Sequence, residues 1–306
     1  MWCRSLCLVL PLAISLNSQT SPETIHQAPQ LSSFVQQPST QDATEPEIID
    51  IPVYCAQLSQ TVQHSSALAN VCQFALSTLK RFPDLICDRE MRRHWKEYSA
   101  LDAIKHSDVL TAEVTYRRGQ EYYDHLQLNG HRVSSQAPAL PPSSLSGPWS
   151  LGEFAMALEE IFLPSSKAEF QFKKQTHFGS AKAELFTFHV AAANNRYYFL
   201  FTADQKWFPE FGGELWIDES GLRLLRLHDE TAYTDKYPIR SVKTTIDYAP
   251  IFLPDGSIMV LPIHSRVSTC TVQEGVIEDN CSRSLVTFTN WHKFKATSTI
   301  LTNPEH

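Results

Sequence analysis

Gly213-Glu214-Leu215-Trp216-Ile217-Asp218-Glu219-Ser220-Gly221-Leu222-Arg223-Leu224-Leu225-Arg226 reads as two β-strands folded about a tight turn. Residues 213–218 and 222–229 follow the two-residue period of a strand, and Glu219-Ser220-Gly221 between them is a turn signal. The same period recurs on both sides of this hairpin. Upstream it marks 85–94, 109–117, 120–128, 169–175, 184–190 and 196–202; downstream it marks 240–248, 257–272 and 282–294. Arg118-Gly119, Asn129-Gly130, Asn194-Asn195 and Pro254-Asp255-Gly256 supply the turns, and Asn-Gly is the sharpest of them. About eleven successive strands with short connections mean an antiparallel sheet. Two segments switch to helical spacing, 64–82 and 150–162. In the second, Ser150 followed by Glu153 has the capping-box spacing, and Pro164 stops the helix. The fold class is α+β, with two main helices over one face of the sheet.

The chain has 306 residues, with 26 Lys and Arg against 33 Asp and Glu, a formal charge of −7. That balance excludes a general nucleic-acid binder. Ten glycines are scarce, and neither a Rossmann fingerprint nor a P-loop occurs. Residues 1–18 read as a secretory signal: a basic start, then an apolar run over 5–16 that is too short to span a bilayer, which needs roughly 20 such residues. Residues 19–52 contain six Gln, five Pro, five acids and no Lys or Arg, the composition of a disordered tether. Residues 53–306 then form a single domain. The protein is expected to be exported, periplasmic or extracellular, and not membrane-spanning.

With export comes the expectation of disulfides. Cys270 ends one strand and Cys281 begins the next, so they are expected to bridge the base of a hairpin. Cys55, Cys72 and Cys87 leave one thiol over, and the residues alone do not say which; the odd one is expected to be a buried hydrophobe.

The hairpin pattern G-x-hydrophobic-W-I-D…G-x-x-x-L-R resembles the central strands of the periplasmic lipoprotein-carrier superfamily, the LolA/LolB-like proteins. Short stretches also resemble a group of secreted bacterial proteins of no assigned activity. These are Phe82-Pro83-Asp84-Leu85-Ile86-Cys87-Asp88, Ser150-Leu151-Gly152-Glu153-Phe154, Leu261-Pro262-Ile263-His264-Ser265, Cys281-Ser282-Arg283 and Asn290-Trp291-His292-Lys293-Phe294. The carrier resemblance implies a curved, incomplete β-barrel, a half-barrel whose concave side is plugged by helices and holds acyl chains.

Catalytic and metal signatures are weak. Ser77-Thr78-Leu79-Lys80 has the SxxK spacing but lacks the partner motifs that such enzymes need. His228-Asp229-Glu230 is the single local cluster of ligand-type residues, and only His228 and Glu230 share a face. No Cx2C pair points to zinc, and no cofactor is implied. Arg89 and Arg93 share one strand face and Arg92 and Lys96 the other, which suits a solvated edge or a headgroup-binding rim.

Aromatic alternation carries more. Phe186, Phe188 and Val190 share a face of one strand, and Phe199 and Phe201 share a face of the next, paired to it through Asn194-Asn195. The 213–218 strand brings Trp216. Helix 150–162 offers Phe154, Leu158 and Phe162 as a lid. Two helices are too few to cover about eleven strands, so an apolar cleft is expected here. The candidate ligand set is therefore Phe154, Leu158, Phe162, Phe186, Phe188, Val190, Phe199, Phe201 and Trp216. The function expected is a non-enzymatic carrier or sensor of a lipid-like ligand; the alternative is an envelope protein–protein interaction module with a filled barrel.

Overall fold

The computed structural model describes residues 50–60, 62, 66–81, 84–98, 103–117, 120–133, 145–150, 152–154, 156–196, 199–202, 205–232, 239–271 and 280–294. The expected signal peptide, and all but the last three residues of the expected tether, lie outside them. The chain runs α1 (Ile51–Gln60), α2 (Ser66–Arg81), β1 (Leu85–Tyr98), β2 (Ala103–Arg117), β3 (Gln120–Leu128), β4 (His131–Arg132) and α3 (Met156–Phe162). It continues through β5 (Glu169–Phe178), β6 (Ala181–Val190), β7 (Phe199–Thr202), β8 (Gln205–Trp207), β9 (Phe211–Asp218), β10 (Leu224–Thr231), β11 (Ile239–Phe252), β12 (Ile258–Thr271) and β13 (Asn280–Lys293).

Eleven strands form one antiparallel sheet in the order β4-β3-β2-β1-β13-β12-β11-β10-β9-β6-β5. Its two edges do not pair with each other, so the sheet is open. Residues from β1, β2, β3, β6 and β9 through β13 nevertheless share one apolar core with α2 and α3, which requires the sheet to curve around it. Leu215 and Ile217 point into this core, Phe186 lies opposite Leu215, and Phe188 lies opposite Gly213.

The two glycines of β9 decide which strands are neighbours. A Cβ on Gly212 would come within 2.8 Å of the Phe188 carbonyl oxygen, and one on Gly213 within 1.9 Å of the His228 carbonyl oxygen. Only glycine lets β9 sit this close to both β6 and β10. This corrects the expected pairing of 184–190 with 196–202. A short 3-10 turn at Ala192–Asn194 redirects the chain, Asn195 donates its side-chain amide to the Pro209 carbonyl at 2.7 Å, and β7 pairs with β8 in a separate two-stranded ribbon.

Helix α2 falls within the expected 64–82, whereas the other two helices differ from expectation. The second helix is shorter, beginning at Met156, because Ser150 and Glu153 are drawn into a buried ion cluster and do not cap it. Ahead of α2 stands α1, beginning at Ile51 inside the stretch assigned to the tether. Cys55 of α1 is disulfide-bonded to Cys72 of α2, and Cys270 to Cys281 across β12 and β13, where the paired Cα atoms are 4.0 Å apart. Among the described residues Cys87 is the free thiol, and it is buried.

Candidate functional site

The inner face of the β5–β6–β9 corner is a continuous aromatic layer. Phe170 and Phe172 of β5 stand opposite Phe188 and Phe186 of β6. Phe162, the last residue of α3, stacks on Phe170 with centroids 5.5 Å apart. Phe170 leans on Phe188 at 6.4 Å, Phe188 meets Phe211 edge-on at 6.1 Å, and Phe172 meets Phe186 edge-on at 5.6 Å. Edge-to-face geometry of this kind adds to the area term in holding the layer together. The cleft expected at this place is closed: Phe162, Phe186 and Val190 are 0 % exposed and Leu158 and Phe188 are 4 % exposed. A side-chain layer interdigitated with α3 fills the space that strand counting left open.

Not all of the candidate set meets here. Phe154 precedes α3 and packs elsewhere, stacked 6.0 Å from Tyr116 and edge-on to Phe288 and Trp291 at 5.3 and 4.9 Å. Trp216 lies on the opposite face of β9 from Leu215 and Ile217, because strand side chains alternate; there the Arg226 guanidinium lies 6.0 Å from its ring and 4.7 Å from that of Phe178. Arg226 in turn pairs with Asp247. Phe199 and Phe201 lie on β7, outside the main sheet, and their side chains lie outside the described residues. Phe211, by contrast, belongs to the layer although its strand period begins two residues before the stretch recognised in the sequence.

Beneath the approach to α3 lies a buried charge cluster. Arg89 of β1 donates to the Ser150 carbonyl oxygen at 2.8 Å, to the Ser150 hydroxyl at 3.0 Å and to Glu153 Oε1 at 3.2 Å. Its guanidinium lies 5.4 Å from the rings of both Tyr123 and Trp149. Glu121 of β3 accepts the backbone N–H groups of Gly152 and Phe154 at 3.0 and 3.1 Å and the Tyr123 hydroxyl at 2.5 Å. Burial, reinforced by the neighbouring Glu153, pushes the Glu121 carboxyl up to about 7 against those hydrogen bonds. Arg93 grips Asp108 with two hydrogen bonds, at 2.7 and 2.5 Å, and donates to the Pro148 carbonyl oxygen at 3.0 Å. Arg89 and Arg93 share a face as expected, but the face is the inner one. They are neither a solvated edge nor a headgroup rim; they fasten the 148–154 segment to the sheet.

A second pair of acids sits where α3 faces β10. Burial pushes Asp229 up to about 7. Burial and then the nearby Asp229 hold Glu160 of α3 well above the ordinary carboxyl range. Both therefore hold their protons to higher pH than ordinary carboxyls when α3 is seated. The Tyr248 hydroxyl of neighbouring β11 is buried without a hydrogen-bond partner among the described residues, and Asp229 also acts on its ionisation.

A depression of about 540 Å³ at the far end of β10 and β11 is lined by Glu230, Thr231, Arg240 and Ser241. Its charged walls do not suit an acyl chain. Among the described residues no cluster of three metal-ligand side chains occurs, and no helix is long and apolar enough to cross a membrane. His228 spends its Nδ1 on the Thr244 carbonyl and the Thr245 hydroxyl, both at 3.0 Å.

No family model matches the chain, and no curated protein matches it in sequence. Several solved structures are similar to it over most of their length. A DUF1329 family protein from Desulfovibrio piger is similar at 9 % identity over 81 % of this chain and 93 % of that one, with a TM-score of 0.33. A LolA superfamily protein from Nitrosomonas europaea is similar at 12 % identity over 74 % and 94 %, with a TM-score of 0.30. A domain assigned to outer membrane lipoprotein sorting, from Vibrio parahaemolyticus, is similar at 14 % identity over 73 % and 92 %, also at 0.30.

Proposed function

We propose that the protein is an exported, non-enzymatic binding protein that takes a lipid-like apolar ligand on the inner face of its sheet, beneath α3. The observation that supports this most directly is that the aromatic layer is closed at Phe170 by the end of one short helix, α3. Phe170, Phe172, Phe186, Phe188 and Phe211 extend over three strands, while α3 has seven residues and so a length of only about 10 Å. A ligand that displaces Phe162 and Leu158 keeps the sheet's apolar surface out of water, so the exchange costs little of the roughly 25 cal/mol per Å² that exposure would lose. Two disulfides suit an oxidising compartment and thereby an exported protein.

The packed state of the layer favours a second reading, an interaction module with a filled barrel that holds no ligand. A solvatochromic dye and its displacement by fatty acid separate the two. Under the binding reading, dye is taken up at micromolar protein, fatty acid expels it, and Phe162→Ala, which loosens the lid, speeds uptake. Absence of uptake by both the wild type and Phe162→Ala, with each shown folded by circular dichroism, leaves the interaction module.

A further inference from the structure

The basic run on β1 has a second side. Met91 and Arg93 are buried on the inner face, so alternation turns Arg92, His94 and Lys96 to the outer face of the sheet. Neighbouring strands add to them in register, because cross-strand partners share a face. Arg92 stands beside Leu285 of β13, and Leu285 beside Arg266 of β12. His94 stands beside Arg283 of β13, and Lys96 beside Lys105 of β2. Val286, Ser284 and Ser265 are buried, which likewise turns Leu285, Arg283 and Arg266 outward. Arg92, Lys96, Lys105, Arg266, Arg283 and His94 thus share the outer face of four adjacent strands, β2-β1-β13-β12. At about 4.8 Å between strands, the patch is about 15 Å wide.

The chain neutralises little of this charge itself. Glu90 pairs with Arg92 at 2.8 Å. Arg266 reaches Asp247 only at 3.7 Å, and Arg226 already holds that aspartate with two hydrogen bonds. His94, Lys96, Lys105 and Arg283 have no ion pair among the described residues. Lys96 directly opposite Lys105 is a like-charge pair, which costs stability until an anion lies between them. All this stands in a protein whose formal charge is −7, so the cations are concentrated locally. Amid them Leu285 is 41 % exposed, between Arg92 on one side and Arg266 on the other.

We propose that this outer face docks on the surface of an anionic lipid bilayer. A single bound anion needs donors that converge on it, whereas these long side chains stand side by side across four strands, the arrangement that meets a continuous layer of phosphate headgroups. Each Lys or Arg brought to such a surface strengthens partitioning about fivefold. Leu285 gives the centre of the patch an apolar contact with the interface. The patch lies on the opposite face of the sheet from the aromatic layer under α3, and its test does not depend on ligand uptake there.

The test is flotation of the mature chain with vesicles of phosphatidylcholine, with and without phosphatidylglycerol as the anionic lipid. The chain is expected to float with the anionic vesicles at low salt, to be released as salt is raised, and to stay behind with phosphatidylcholine alone. Both vesicles offer acyl chains, so lipid uptake beneath α3 produces no such preference. Lys96→Glu with Arg283→Glu is expected to weaken association at least about twentyfold. Lys167→Glu with Lys182→Glu, an equal change of charge away from the patch, is expected to leave it within about twofold, each variant being shown folded by circular dichroism. Equal flotation with phosphatidylcholine alone, equal losses in the two double variants, or no flotation at low salt would each overturn the proposal. So would release from the vesicles by polyglutamate at matched charge, which would make an acidic polypeptide the partner.

Discussion

Arg89 and Glu153 form an ion pair 3.2 Å long in which each residue is only 2 % exposed, and this pair ties the segment ahead of α3 to strand β1. Removing one partner leaves the other charged and out of water. Glu153→Ala is therefore expected to cost about 3–5 kcal/mol. Replacing both, Arg89→Met with Glu153→Leu, is expected to recover most of that loss, since a well-packed apolar pair has no charge to desolvate. Urea denaturation of the single and double variants checks it; a single variant as stable as wild type would show the pair to be dispensable.

Gly213 is the next test, because β10 passes so close behind it. A Cβ placed there lies 1.9 Å from a backbone oxygen that cannot swing aside. Gly213→Ala is expected to destabilise by about 1–3 kcal/mol, the range of an overpacked interior. The amides shared by β9 and β10 should exchange faster in the variant than those of β1 and β2.

The two disulfides should act through the unfolded chain. Their cysteines are 17 and 11 residues apart. Chain-entropy arithmetic for loops of this size gives about 3 kcal/mol for each. Cys55→Ala with Cys72→Ala should lower the denaturation midpoint and also free α1, whose one buried residue is Cys55. Cys87→Ser should leave mass shifts on alkylation of the native protein unchanged, since that thiol is buried.

The strands were legible in the sequence because their signal is local. Asn129 and Gly130 have positive φ as an Asn-Gly turn requires, and β3 spans 120–128 as its period indicates. The hairpin around Gly221 likewise follows from its own residues; a Cβ on Gly221 would lie 2.6 Å from the Ala67 Cα, so the turn packs directly on α2. What stayed hidden depends on distant partners. Helix α1 has only ten residues, and its stripe of Ile51, Tyr54, Cys55 and Leu58 begins within the polar, proline-containing stretch that reads as a tether, so its period is masked by its surroundings. Arg89 and Glu153 are 64 positions apart, and nothing in either neighbourhood marks them as buried. The Ser150–Glu153 spacing suits a helix cap equally well, and Arg89 decides otherwise. Phe188 and Phe211 come together only because Gly212 admits β9 beside β6, a matter of backbone clearance that no aromatic pattern records.

Seating of α3 should depend on pH, and the direction follows from the two acids beneath it. When the helix leaves, Asp229 and Glu160 return toward their ordinary ranges, near 3.8 for the aspartate. With the helix seated, Asp229 holds its proton up to about 7 and Glu160 well above its usual range. The seated state thus binds more protons than the open one, and its advantage falls as pH rises. That advantage is complete below the aspartate's ordinary value, declines between there and about 7 as Asp229 ionises, and falls further as Glu160 loses its proton beside it. Glu121, raised to about 7 under the same segment, acts with the same sign. Hydrogen exchange of 156–162 should accordingly be faster at about pH 8 than at about pH 5.5, after correction for intrinsic rates. Asp229→Asn should flatten this difference, because an amide carries no charge to lose or gain, and Glu121→Gln should flatten it in part. If the apolar ligand enters beneath α3, dye uptake will follow the same curve and the same variants. A helix equally protected at both pH values would show that the acids do not govern its seating.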